Sequence, residues 1–484
     1  MNPPVTAAAA MGSHLSEPSF GRVAPLHAPP SPTTLAQTGL SAERVADLLL
    51  KTLYVQGART GQQLHDAIRL PFPILDERLL DLQQRMFLEV RGAQGTGRGG
   101  YVFELSSKGR DRAREAMETN QYVGPAPVPL ENYRAWVEAQ SIRRVTVTRD
   151  RIRTGFSHLV LDPKFLEQLG PAINSAKSMF LYGESGNGKT NIAESIARLL
   201  GGDIYVPYAI QIDGHIMIVH DPVYHRARPE PGAEPPGDGP TWLRAAPAYD
   251  LRFAHVSRPV VFTGGELMLG QLDLEYDEHT KLYQAPFQLK ANGGVLIIDD
   301  LGRQRVEPRD LLNRWIVPLE KRVDFLTLHT GHKFPVPFDC LLIFATNLDP
   351  NDLVDEAFLR RIHYKILVPS PTYAEYEQIF RRCCVARQIP FVTERVRHVY
   401  ERFYERLAVA PRGCHPRDIV DHLCDTARYL EVEPELSEDL LDRACVSYFL
   451  DMPDPGGSQP PNDENRDARS GESEAPAEHG VDEA

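Results

Sequence analysis

The stretch that most limits what this chain can fold into is FLYGESGNGKT, residues 180–190. An apolar run leads into a glycine-rich turn, and NIAESIARLL follows with the apolar spacing of a helix. The turn matches G-x-x-x-x-G-K-[ST] through Gly183, Gly188, Lys189 and Thr190, with Glu184, Ser185, Gly186 and Asn187 between. Glycines let successive backbone N–H groups wrap a phosphate, and the following helix adds its positive N-terminal end. In that setting Lys189 reaches β- and γ-phosphates and the Thr190 hydroxyl ligates Mg²⁺. Strand, loop and helix in this order predict an α/β domain with a parallel sheet and an ATP–Mg²⁺ site.

Three later stretches belong to the same chemistry. GGVLIIDDLGRQ (293–304) is a buried strand that ends on two carboxylates. Asp299 is placed to hold Mg²⁺ through water and Asp300 to polarise the attacking water. CLLIFATN (340–347) is a further buried strand ending in Asn347, which is suited to orient that water. DEAFLRRIHYKI (355–366) carries Arg360 and Arg361, and RGCHPRDIVDHL (412–423) puts Arg417 at a helix start.

In this order the motifs resemble those of the AAA+ ATPases: Walker A, Walker B, sensor 1, arginine finger, and a helical lid with sensor 2. The resemblance covers roughly residues 155–450. It implies that Lys189 and Thr190 are Walker A, that Asp299 and Asp300 are Walker B, and that Asn347 is sensor 1. Arg361, or its neighbour Arg360, takes the finger role and Arg417 that of sensor 2. It also implies a homo-oligomeric ring, a hexamer, with ATP bound between subunits. The shorter Asp300 stands where a glutamate is usual, an arrangement known in helicase-loader and initiator relatives with a similar IDDLG context. A P-loop kinase is disfavoured because no separate acceptor site is legible. The segment DFLTLHTGHKFPVPFDC before the sensor strand reads as a hairpin. It resembles one that a large AAA+ branch inserts there and aims at the central pore.

Outside the nucleotide motifs, residues 1–38 are rich in Pro, Ala and Ser and read as disordered. Residues 39–119 run as three helices, with Ser41 as N-cap and Gly57 as stop of the first, then two strands around a glycine-rich turn. This order resembles a winged helix-turn-helix domain. Residues 120–154 read as a proline-stiffened linker, 155–370 as the α/β core with an insertion at 203–290, and 371–450 as the helical lid. His215, His220 and His225 recur every fifth residue, which fits neither a helix face nor a strand face, and read as unrelated.

Charge bears on partners. The net charge of −13 is uneven, because residues 452–484 carry nine acids against Arg466 and Arg469. The segment 451–484 therefore reads as an acidic disordered tail. Residues 41–118 hold twelve basic and eleven acidic side chains, and the third helix contains Asp76, Glu77 and Asp81, a poor surface for phosphates. Arg91 and Arg98 near the wing are the remaining candidate phosphate contacts. The module thus reads as docking a protein client, the alternative being an ATP-controlled DNA-binding regulator or helicase-loader-like protein.

No apolar run reaches the roughly 18 residues of a membrane span, and the N-terminus lacks the pattern of a signal peptide. Six cysteines without a CxxC pair fit a reducing, cytoplasmic location. The Cys414–His415 spacing matches no zinc-ligand pattern.

Overall fold

The computed structural model describes residues 28–95, 97–229, 249–353, 356–406 and 408–449. They form two compact units: one runs through Ile379 and includes Ala410–His415, and the other comprises Phe380–Val409 and the chain from Pro416 onward.

In the first unit the front module begins with helices Ala42–Gln56, Gly61–Ile68 and Phe72–Gln84. The Ser41 side chain accepts from the Arg44 amide and Gly57 closes the first helix at φ 77°, as the sequence indicates. Strands Leu88–Ala93 and Tyr101–Leu105 pair antiparallel, and the two-residue strand Arg59–Thr60 adds to the second of them. The charge balance of this module is resolved internally. Arg91 pairs with Glu104, Arg98 with Asp76 at 2.7 Å and Arg112 with Asp47 at 2.7 Å.

Ordered chain starts earlier than composition indicates. Residues Leu35–Thr38 form a helical turn, the Pro29 carbonyl accepts from the Asp250 amide at 2.8 Å, and Arg252 donates to the Thr38 carbonyl at 2.8 Å. Arg252 is itself locked by buried Asp250. Both ends of this clasp lie beyond the reach of a local pattern.

Residues 120–154 are more than a linker. They supply the helix Leu130–Ala139, with Tyr133 and Val137 buried, and the strand Val128–Pro129. That strand edges a second sheet ordered Glu275–Asp277, Leu282–Gln284, His215–Ile218, Ala209–Ile212, Val128–Pro129. The described part of the expected insertion therefore supplies four strands of this sheet and a separate antiparallel pair, Asp203–Pro207 with Phe253–Ser257, with one correction to its extent. Val260–Thr263, inside 203–290, is a strand of the core sheet, paired in parallel with Val295–Ile298. The hairpin forms from Val323–Thr327 and Lys333–Pro337. Its Leu326, Leu328, Phe334 and Val336 are buried together with residues of the second sheet, and the His329 ring stacks on Tyr276 at 4.1 Å.

The core sheet has five parallel strands in the order Val260–Thr263, Val295–Ile298, Leu341–Thr346, Ser178–Tyr182, Tyr364–Leu367. The central strands are continuous apolar runs because both faces are covered. Their registers align Ile298 with Phe344 and Thr346 with Tyr182. The C-terminal ends of Ser178–Tyr182, Val295–Ile298 and Leu341–Thr346 therefore lie side by side, along the crevice where α/β sheets bind ligands.

The second unit is helical. Thr393–Val399 runs into a π-helical segment, Tyr400–Glu405, and Glu438–Tyr448 packs on the former. Phe403, Tyr404, Leu440 and Leu441 are buried. The acidic tail and residues 230–248 of the expected insertion lie outside the described residues.

Candidate nucleotide site

The loop after Tyr182 is built by backbone conformations that require glycine. Gly183, Gly186 and Gly188 have φ of 137°, 85° and 80°. At two of them space also forbids a side chain. A Cβ on Gly183 would stand 2.4 Å from the Val368 carbonyl oxygen, and one on Gly186 would stand 2.5 Å from Cys414 Sγ. Gly188 is the N-cap of the helix Lys189–Leu200, so its first amides are left for a ligand in the loop.

Lys189 is buried and donates to the Gly183 and Glu184 carbonyls at 2.9 and 3.0 Å. Burial lowers its pKa from the usual lysine value, while Asp299, Asp300 and Glu184 act to raise it and Arg303 to lower it. Thr190 Oγ1 donates to Asp299 Oδ2 at 2.5 Å. Asp299 is fixed by its amide on the Thr263 carbonyl at 2.8 Å, and its Oδ1 accepts the Asp300 amide at 2.9 Å. Asp300 is exposed, with φ at 50°. Asn347, just past the sensor strand, has a buried Oδ1 with no hydrogen-bond partner.

Those facts fit the expected ligands. A hydroxyl and a carboxylate are hard oxygen donors of the kind Mg²⁺ takes, and two of them leave its other positions to water and phosphate. The orphaned Asn347 oxygen is costly to leave buried and suits a ligand-borne or water hydrogen. Among the described residues no group of three or more His, Cys, Asp or Glu is gathered for a metal, Cys414 and His415 included.

A contact that the motifs did not reveal is a strap from residues 412–414. The Cys414 amide donates to the Gly186 carbonyl at 2.8 Å and the Gly413 amide to Asn187 Oδ1 at 3.2 Å. Arg412 stands 3.5 Å from Glu184. Gln304 was also missed: its Nε2 donates to the Asp299 carbonyl at 3.1 Å and its Oε1 accepts the Gly302 amide. Both lie inside stretches that the sequence singles out, but only the folded chain shows what they touch.

The arginines are placed differently. Arg361 precedes Tyr364–Leu367; its carbonyl accepts from Ser178 Oγ, at the start of the strand Ser178–Tyr182, and Tyr364 pairs with Met179. It therefore sits at the opposite end of the sheet from the loop, a strand length of about 13 Å away. Its Nε donates to Glu320 at 2.5 Å. Arg360 is 75% exposed and pairs with Glu356 at 2.8 Å, against 27% exposure for Arg361. Arg417 belongs to the second unit, near the start of the helix His415–Tyr429, and holds Asp418 at 2.8 Å.

Residues 372–447 match the model of a domain of unknown function, DUF8689. No curated protein matches the chain. Solved structures similar to it include the RuvB Holliday junction branch migration motor of Thermotoga maritima, 12% identical over 64% of this chain and 72% of that one, with a TM-score of 0.32. NtrX from Brucella abortus is 13% identical over 72% of this chain and 64% of that one, TM-score 0.34. A BchI–BchD magnesium chelatase structure is 16% identical over 58% and 88%, TM-score 0.27. These are distant likenesses, and the case for the site rests on its own geometry.

Proposed function

We propose that the chain is an AAA+ ATPase that binds Mg-ATP at the edge of its parallel sheet and hydrolyses it between subunits. The observation that carries this reading is one of placement. Lys189, Thr190, Asp299, Asp300 and Asn347 come from three strands and converge on one edge, while Arg360 and Arg361 start from the opposite end. An arginine so placed has no route to its own loop along the strand. It can serve a neighbouring copy, as a ring requires.

In this reading the loop amides and Lys189 bind the phosphates, and Lys189 exchanges its two carbonyl partners for phosphate oxygens. Mg²⁺ held by Thr190 and Asp299 neutralises charge on the phosphates when bound. Asp300 accepts the proton of the attacking water, and Asn347 orients that water with its free Oδ1. Arg361 leaves Glu320 to stabilise the neighbour's γ-phosphate, and Arg417 takes the sensor 2 role. The front module is read as winged-helix-like and as docking a protein client. Its wing arginines are already neutralised by Glu104 and Asp76, which favours protein over DNA.

The test is ATPase rate against protein concentration for wild type, Asp300→Asn and Arg361→Ala. Specific activity should rise with concentration, and both variants should lose at least about tenfold, as when a group acting in the transition state is removed. A wild type that binds ATP but is inactive at every concentration would make the chain a nucleotide-gated switch instead.

A further inference from the structure

A second site stands apart from every residue named above for ATP. Helices Arg149–Gly155 and Pro163–Ser175 leave between them a cavity of about 450 Å³, within the range of small-molecule sites. Its apolar surface comes from Val147, Ile152, Leu166 and Pro171.

The cavity is a built feature. Asn174 clamps its wall with two bonds to one residue, accepting the Val147 amide at 2.7 Å and donating to the Val147 carbonyl at 3.0 Å. Gly170 keeps the helix flat where a Cβ would stand 3.0 Å from Ile152 Cδ1. Pro171, inside the helix, has no N–H, so the Glu167 carbonyl cannot receive its i+4 helical bond. Both residues line the cavity.

Charge at the cavity is asymmetric. Arg149 is engaged by Glu167, whereas Arg153 is exposed, lines the cavity, and pairs with no carboxylate among the described residues. An apolar chamber with one unengaged guanidinium is complementary to a ligand with an apolar body and a single negative group.

We propose that this cavity binds a small organic anion, an apolar body seated on Ile152 and Leu166 with its carboxylate or sulfonate held by Arg153. Helix Arg149–Gly155 packs on the helix that follows the phosphate loop, with Gly155 and Leu199 so close that a Cβ would stand 2.2 Å from Leu199 Cδ1. An occupant would therefore bear on the far end of the helix that begins at Lys189.

The experiment titrates the full chain, without nucleotide, with 8-anilinonaphthalene-1-sulfonate, an apolar ring system bearing one sulfonate. Binding does not depend on the ATPase reading, so the two can fail separately. One saturable fluorescent site is expected, displaced by decanoate but at least tenfold less well by uncharged decanol. Arg153→Glu should weaken it roughly tenfold, the scale of one charge-assisted contact. Leu166→Trp, which fills the chamber from its half-buried rim, should abolish it with an unchanged circular dichroism spectrum and melting temperature. Binding that survives both substitutions, no saturable binding, or equal displacement by decanol and decanoate would each overturn the proposal.

Discussion

At the scale of single residues, His225 shows how little spacing reveals about environment. The histidines at 215, 220 and 225 look unrelated in sequence, yet the rings of His220 and His225 stack at 5.4 Å. His225 is buried, accepts the Asp221 amide on Nδ1 at 2.8 Å and faces the Lys290 carbonyl with Nε2 at 2.9 Å. Acceptance on one nitrogen and donation from the other describe a neutral ring. Burial pushes its pKa down from 6.5 to about 4, and burial lowers that of His220 as well. A histidine depressed in the folded state takes up its proton more readily when unfolded. Its stabilisation is therefore complete above pH 6.5 and is lost as pH falls toward 4. Over that window the wild type should lose about 3 kcal/mol more unfolding free energy than His225→Gln, read from urea curves at each pH. A common slope for both proteins would show that this ring does not couple folding to pH.

At the scale of elements, Arg314 ends the helix Pro308–Arg314, which follows Asp299 and Asp300 in the chain, and grips the hairpin. Its guanidinium donates to Asp324 at 2.6 and 3.0 Å and to Asp273 at 3.0 Å. Asp324 is buried in the first hairpin strand and also accepts from Gln288 at 2.9 Å. Removing the arginine strands a buried carboxylate, whereas Asp324→Asn leaves a neutral side chain still able to hydrogen-bond. Arg314→Ala should cost about 3–5 kcal/mol by chemical denaturation and Asp324→Asn distinctly less; equal losses would mean that charge is not what holds the hairpin. The hairpin itself was legible, since its alternation and turn residues are local. Its attachment was not, because Arg314, Asp273 and Gln288 belong to three separate segments.

At the scale of the whole molecule, the separation of Arg361 from the Gly183–Gly188 loop bears on the proposed sharing of the site between subunits. If the site is shared, chains carrying Lys189→Ala and chains carrying Arg361→Ala should each be inactive alone. Mixed in equal amounts they should recover activity, up to about a quarter of wild type, since random neighbours create some interfaces with both groups intact. An ATPase assay of the mixture decides this, and mixtures no more active than their parts would place the whole site within one chain.

The sequence by itself determined which stretches supply the candidate nucleotide edge. Phosphate wrapping needs glycines at fixed offsets, and a fully buried parallel strand must be a continuous apolar run, so GESGNGKT stands out as a candidate phosphate loop and VLIIDD as a buried strand within a few residues. Only the tertiary structure decided what is brought to that edge from afar. Cys414 crowds Gly186, Val260–Thr263 belongs to the core sheet, and residues 28–38 are clasped by Arg252 and Asp250. Each is a contact between segments whose separation along the chain carries no periodic signal, fixed by packing and by the need to pair buried polar groups.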